Sequence, residues 1–92
     1  MPLFLIERNY AERIELDSAH ADDLRLINDE AGVSWLYSFL SADKRKTYCL
    51  YEAPSAEAIR KAAAMAGLPA DVITEVDAKV MPDATTVPIG PA

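Results

Sequence analysis

Apolar positions recur along this chain with two different spacings, and the switches between them predict six elements. Leu3 to Glu7 is a short apolar, β-leaning run followed by Arg8 and Asn9, and it reads as a strand buried on both faces near its centre. From about Asp17 the spacing becomes helical. Asp17 or Ser18 can cap this helix, Asp22 and Asp23 sit early enough to favour its positive end, Leu24, Ile27 and Ala31 form a narrow stripe, and Gly32 stops it. Val33 to Ser41 and Arg45 to Ala53 are rich in β-branched and aromatic residues. The short polar connection Ala42-Asp43-Lys44 between them predicts a β-hairpin. A second helix follows Pro54, with Ser55 as N-cap, Glu57 in the first turn, and Ala56, Ile59, Ala63 and Ala66 facing inward while Arg60 and Lys61 point away. Gly67 supplies a left-handed C-terminal position, Leu68 a closing contact, and Pro69 prevents continuation. Asp71 to Lys79 reads as the last strand.

The order β-α-β-β-α-β is that of an α+β ferredoxin-like sandwich, a four-stranded antiparallel sheet with both helices on one face. Residues 1–80 form that domain. Residues 81–92 carry Pro82, Pro88, Gly90 and Pro91, which do not suit a central strand, and they read as a tail that is flexible or laid over a neighbour.

Strict alternation along the hairpin sorts its side chains into two sets. Val33, Trp35, Tyr37 and Phe39 share one face with Thr47, Cys49, Tyr51 and Ala53, and a three-residue loop sets Tyr37 opposite Cys49. The helices then cover Leu36, Leu40 and Leu50. The helix-free face is left with Trp35, Tyr37, Phe39 and Tyr51, an aromatic patch that calls for a partner or ligand. Sheet-to-sheet pairing of two copies buries it and leaves a lined cavity where the sheets diverge, the architecture of a dimeric α+β barrel. A register error of one residue inverts this assignment.

The chain has 92 residues and a net charge of −6, which argues against a sequence-independent nucleic-acid binder and against attraction to anionic lipid. No apolar run reaches the ~20 residues that span a bilayer. The N-terminal stretch lacks a basic lead and does not read as a signal peptide, so the cytoplasm is the expected compartment. One cysteine, Cys49, excludes an intrachain disulfide and fits a reducing environment.

Few residues offer chemistry. Cys49 reads either as a small buried apolar residue or as a thiolate metal ligand. Glu7 and Glu75 lie on strands that are adjacent in this fold, and a carboxylate pair there suits acid–base work or a hard metal; solvated strand ends paired with Arg8, Arg45 or Lys79 are the plainer reading. His20, the one histidine, stands alone in an acidic helix turn without a ligand constellation. Lys44-Arg45-Lys46 reads as solvated charge guarding a hairpin tip, or as a contact for an acidic partner.

The segments Tyr48-Cys49-Leu50-Tyr51-Glu52-Ala53-Pro54 and Ala66-Gly67-Leu68-Pro69-Ala70, together with the Trp35 hairpin and Ala58-Ile59-Arg60, resemble the motifs of a family of small bacterial nickel-binding ferredoxin-like proteins. The resemblance covers residues 3–78. It implies a dimer of ferredoxin-like subunits and nickel as the ion. Many members carry histidine where Tyr37 and Ala62 stand here, and of the motif positions able to hold metal only Cys49 remains.

Three functions follow as expectations, and between the two set out next stands a structural dimer whose pairing consumes the whole face and which acts through other partners. The first is a small non-catalytic binding protein, a homodimer whose cavity, lined by Trp35, Tyr37, Phe39, Cys49, Tyr51, Glu7 and Glu75, takes a small apolar or aromatic ligand or a transition metal. The alternative is a cofactor-free monooxygenase- or isomerase-like enzyme of the dimeric α+β barrel type.

Overall fold

A computed structural model describes residues 1–11 and 18–89. The chain runs β1 (Leu3–Asn9), α1 (Ser18–Ala31), β2 (Ser34–Leu40), β3 (Lys46–Glu52), α2 (Ala56–Ala66), β4 (Val72–Val76), β5 (Ala78–Val80) and β6 (Thr86–Pro88). The first four strands form one antiparallel sheet in the order β2-β3-β1-β4, so the two halves of the chain interlock through the central pair β1 and β3. This is an α+β fold with two helices on one face of the sheet, consistent with the ferredoxin-like arrangement.

Alternation along β1 sends Phe4, Ile6 and Arg8 beneath the helices and leaves Leu3, Leu5 and Glu7 half-buried on the other face. The core gathers Phe4, Ile6, Val33, Cys49, Tyr51 and Ala53 from the strands and their ends against Ile59 and Ala62 of α2. Alanines in α2 permit close approach, and Ile59, fully buried, supplies the volume. The caps of α2 follow the sequence. Ser55 Oγ accepts the Ala58 N–H at 3.2 Å, and Gly67 has φ of 68°, with its N–H and that of Leu68 closing the last turn on Ala63 and Ala64.

Helix α1 departs from expectation in two ways. Its described part runs from Ser18, and Asp22 and Asp23 fall beyond the first turn of that part, which carries no acidic residue. Asp17 lies outside the described residues. Its stripe of Leu24, Ile27 and Ala31 is only half-buried, and among its described side chains the one buried is Asn28.

The C-terminal stretch also differs. The last sheet strand ends at Val76, and Ala78 to Pro88 folds back as a separate two-stranded hairpin rather than a tail starting at residue 81. Its turn places Ala84 at φ 69°, and Asp83 accepts the N–H and hydroxyl of Thr85. Pro88 is tolerated because β6 is an edge strand. Residues 90–92 lie outside the described residues.

Candidate functional site on the open face of the sheet

The hairpin register decides which side chains the helices leave uncovered. Trp35 pairs with Tyr51, but the next pair is Tyr37 with Leu50, so Leu36 is an extra residue and β2 is bulged there. The bulge resets the alternation. Trp35 therefore shares the helix-side face with Tyr51 and Cys49, whereas Tyr37 and Phe39 lie on the open face with Tyr48 and Leu50. Strict alternation had grouped Trp35 and Tyr51 with Tyr37 and Phe39, and had set Leu50 beneath the helices. That grouping is corrected by the one-residue slip. Cys49 likewise faces Ser38 rather than Tyr37.

The open face remains apolar. Tyr37 and Phe39 are 48% and 63% exposed, and their rings meet edge to face at 5.8 Å between centroids. Leu5, half-buried, opposes Leu50, which is buried, at the centre, flanked by Leu3 and, on β4, by Val72 and Val76. One charged pair interrupts the surface. Lys46 forms an ion pair with Glu7 and lies 5.3 Å from the centroid of the Tyr48 ring. The hydrogen bond to Glu7 leads the effects that raise the lysine's pKa above its usual value, and contact with Tyr48 adds to it.

Glu7 and Glu75 do not come together. Glu7 opposes Val72 on β4, while Glu75 opposes Phe4 and so belongs to the other face of the sheet, exposed at its rim. Their strands are adjacent as expected, but the spacing is out of phase by one residue. Lys44-Arg45-Lys46 is not one patch either. Lys44 takes φ of 61° in the turn, Arg45 donates to the Ala11 carbonyl at 2.6 Å, and Lys46 turns back to Glu7. His20 lies in α1, and its side chain falls outside the described residues.

Beneath the helices, Cys49 is 5% exposed and its thiol donates to Thr47 Oγ1 at 3.5 Å. This is the packing of a small apolar residue. Among the described residues no group of three or more His, Cys, Asp or Glu is placed to hold a metal ion. The sequence reading missed the polar cluster beside it. Arg8, 3% exposed, donates to the Pro69 carbonyl at 2.5 Å and lies 5.8 Å from the centroid of the Tyr51 ring, with no carboxylate partner among the described residues. Burial pushes the Tyr51 phenol up, opposed by the Arg8 charge and by hydrogen bonding to Asn28 and Arg8. Only the even spacing of Arg8 with Phe4 and Ile6 signalled this inward position.

Among the described residues no helix is long and apolar enough to cross a membrane. A family model described as nickel responsive protein, SCO4226-like, matches residues 4–76. The crystal structure of SCO4226 from Streptomyces coelicolor A3(2) is similar with a TM-score of 0.69 and 26% identity, covering 80% of this chain and 94% of that one. No curated protein matches the sequence. The family match ends with β4, so the β5–β6 hairpin lies beyond it.

Proposed function

The chain belongs to the SCO4226-like family of nickel-responsive proteins, and from that premise we propose a small non-catalytic binding protein that works as a homodimer. Two copies join through the open faces of their sheets and hold a small apolar or aromatic molecule where the sheets diverge. The observation that carries this reading is the exposure of Tyr37 and Phe39 on a face that also holds Leu3, Leu5, Leu50, Val72 and Val76, with polar groups from Glu7, Lys46, Tyr48, Glu52 and Thr74 among them. A contiguous apolar surface of this kind costs free energy in water, and burying it against a second copy recovers that cost.

Nickel fits poorly with the donors present. The ion prefers imidazole, and the two positions where the resemblance expects histidine hold Tyr37 and Ala62. Cys49 lies on the helix side, so two copies joined through their open faces keep their thiols apart. This member's occupant is accordingly organic rather than a nickel ion held at Cys49. The enzyme alternative expects a free acid–base group on the open face, and the carboxylate of Glu7 there is engaged by Lys46.

Sedimentation equilibrium and nickel titration calorimetry test these two parts separately. The expected mass is twice the 10.1 kDa of one chain, falling to 10.1 kDa in Phe39→Asp. The expected calorimetric trace with nickel shows no saturable heat. A wild-type mass of 10.1 kDa overturns the dimer, and saturable heat abolished by Cys49→Ala reinstates the metal.

A further inference from the structure

The bulge at Leu36 has a second consequence on the helix side of the sheet. It turns Trp35 towards α1 and opens a cleft of about 390 Å³ between that helix and the β2 edge. Small-molecule sites span roughly 300–1,000 Å³. One wall is largely apolar, from Val33, Trp35, Leu36 and Tyr37 with Ser34 among them. The indole of Trp35 is 38% exposed and held in place by its Nε1–H, which donates to Ser38 Oγ at 2.8 Å. The opposite wall is charged. Arg25 and Asp29, four residues apart on α1, both line the cleft.

Those two charges are not spent on each other. Arg25 lies 3.3 Å from Asp22, in a pair too exposed to hold it firmly, and Asp29 has no cationic partner among the described residues. Asp29 also sits in the last turn of α1, where no basic residue offsets the negative end of the helix. A carboxylate there is disfavoured by the helix dipole, and the pair of negative partial and full charges favours a cation. The cleft thus presents a cation-seeking end, an anion-seeking guanidinium about one helical turn away, and a flat apolar wall facing both.

We propose that this cleft binds a small zwitterion bearing an aromatic group, the chemistry of an aromatic α-amino acid. Its ammonium group meets Asp29, its carboxylate meets Arg25, and its ring lies on Trp35. The site adjoins the proposed dimer face and shares one residue with it, Tyr37, which lines the cleft and stands on the open face, while Arg25, Asp29 and Trp35 lie on the helix side.

Trp35 is the one tryptophan in the chain, so its emission reports directly on the site. Titration with L-phenylalanine, excited where the ligand does not absorb, is expected to change that emission saturably. Phenylacetate and phenethylamine, each lacking one charge, are expected to bind at least about tenfold more weakly, as is L-phenylalanine to Arg25→Gln and to Asp29→Asn. Both substitutions fall on exposed helix positions, and circular dichroism checks that the fold persists. Absence of a saturable change up to about 10 mM L-phenylalanine overturns the proposal. So does undiminished binding by either single-charge probe or by either variant.

Discussion

Tyr51 sits at the meeting of the core and its buried polar cluster, and its phenol makes the cluster's electrostatics measurable. Burial raises its pKa above the ordinary 10.0, so the folded state holds the phenolic proton more tightly than the unfolded chain does. The resulting stabilisation is complete below pH 10.0 and is lost as pH rises through the folded-state value. Lys46, raised above its ordinary 10.5 chiefly by its hydrogen bond to Glu7, contributes with the same sign in a neighbouring window. Tyr51→Phe is therefore expected to lessen the alkaline loss of stability without abolishing it. At neutral pH it costs about 1–3 kcal/mol through the polar partners it abandons. Urea unfolding followed from about pH 8 to about pH 11 measures both effects, and an unchanged alkaline slope contradicts the burial argument. Residue types alone made Cys49 legible as a buried apolar group. They did not reveal that Arg8 would be buried, because a cation at a strand end reads as solvated until the neighbouring layer is known.

Elements with strong local punctuation were legible. Ser55 and Gly67 bound α2 through backbone groups that their own chemistry satisfies, so the sequence carries the signal within a few residues. Strand β2 was legible as a strand but not in its faces. An alternation argument assumes two residues per repeat, and one extra residue at Leu36 reverses every assignment on one side of it. No residue near Leu36 is a glycine or proline that would mark the bulge. The β5–β6 hairpin was not legible, its first strand merging with the last sheet strand and its second with the tail, because three-residue strands are too short to show a period. It pairs only with itself, and Val80 is 74% exposed. A chain ending at Asp77 is accordingly expected to unfold within about 0.5 kcal/mol of the full chain in urea. A loss well beyond about 1 kcal/mol means that the hairpin braces the core.

At the scale of the whole molecule, the alternation of helix and strand patterns sufficed for topology, since short connections leave few ways to order four strands and two helices. Two helices cover one face of the sheet, and among the described residues no further helix lies on the other. That shortage of cover makes the open face available to a partner, while the bulge at its edge turns Trp35 away from it and into the cleft that Tyr37 also lines. The family match spans the sheet and helices and stops before the added hairpin, so the shared unit is the half-covered sandwich itself. Isotope-filtered nuclear Overhauser spectra of a mixture of labelled and unlabelled chains test the central claim at its point of contact. Cross-peaks between copies from the Tyr37 and Phe39 rings and the Leu5 methyl groups are predicted. A spectrum with no contacts between copies, or with contacts only from the helix side, contradicts it.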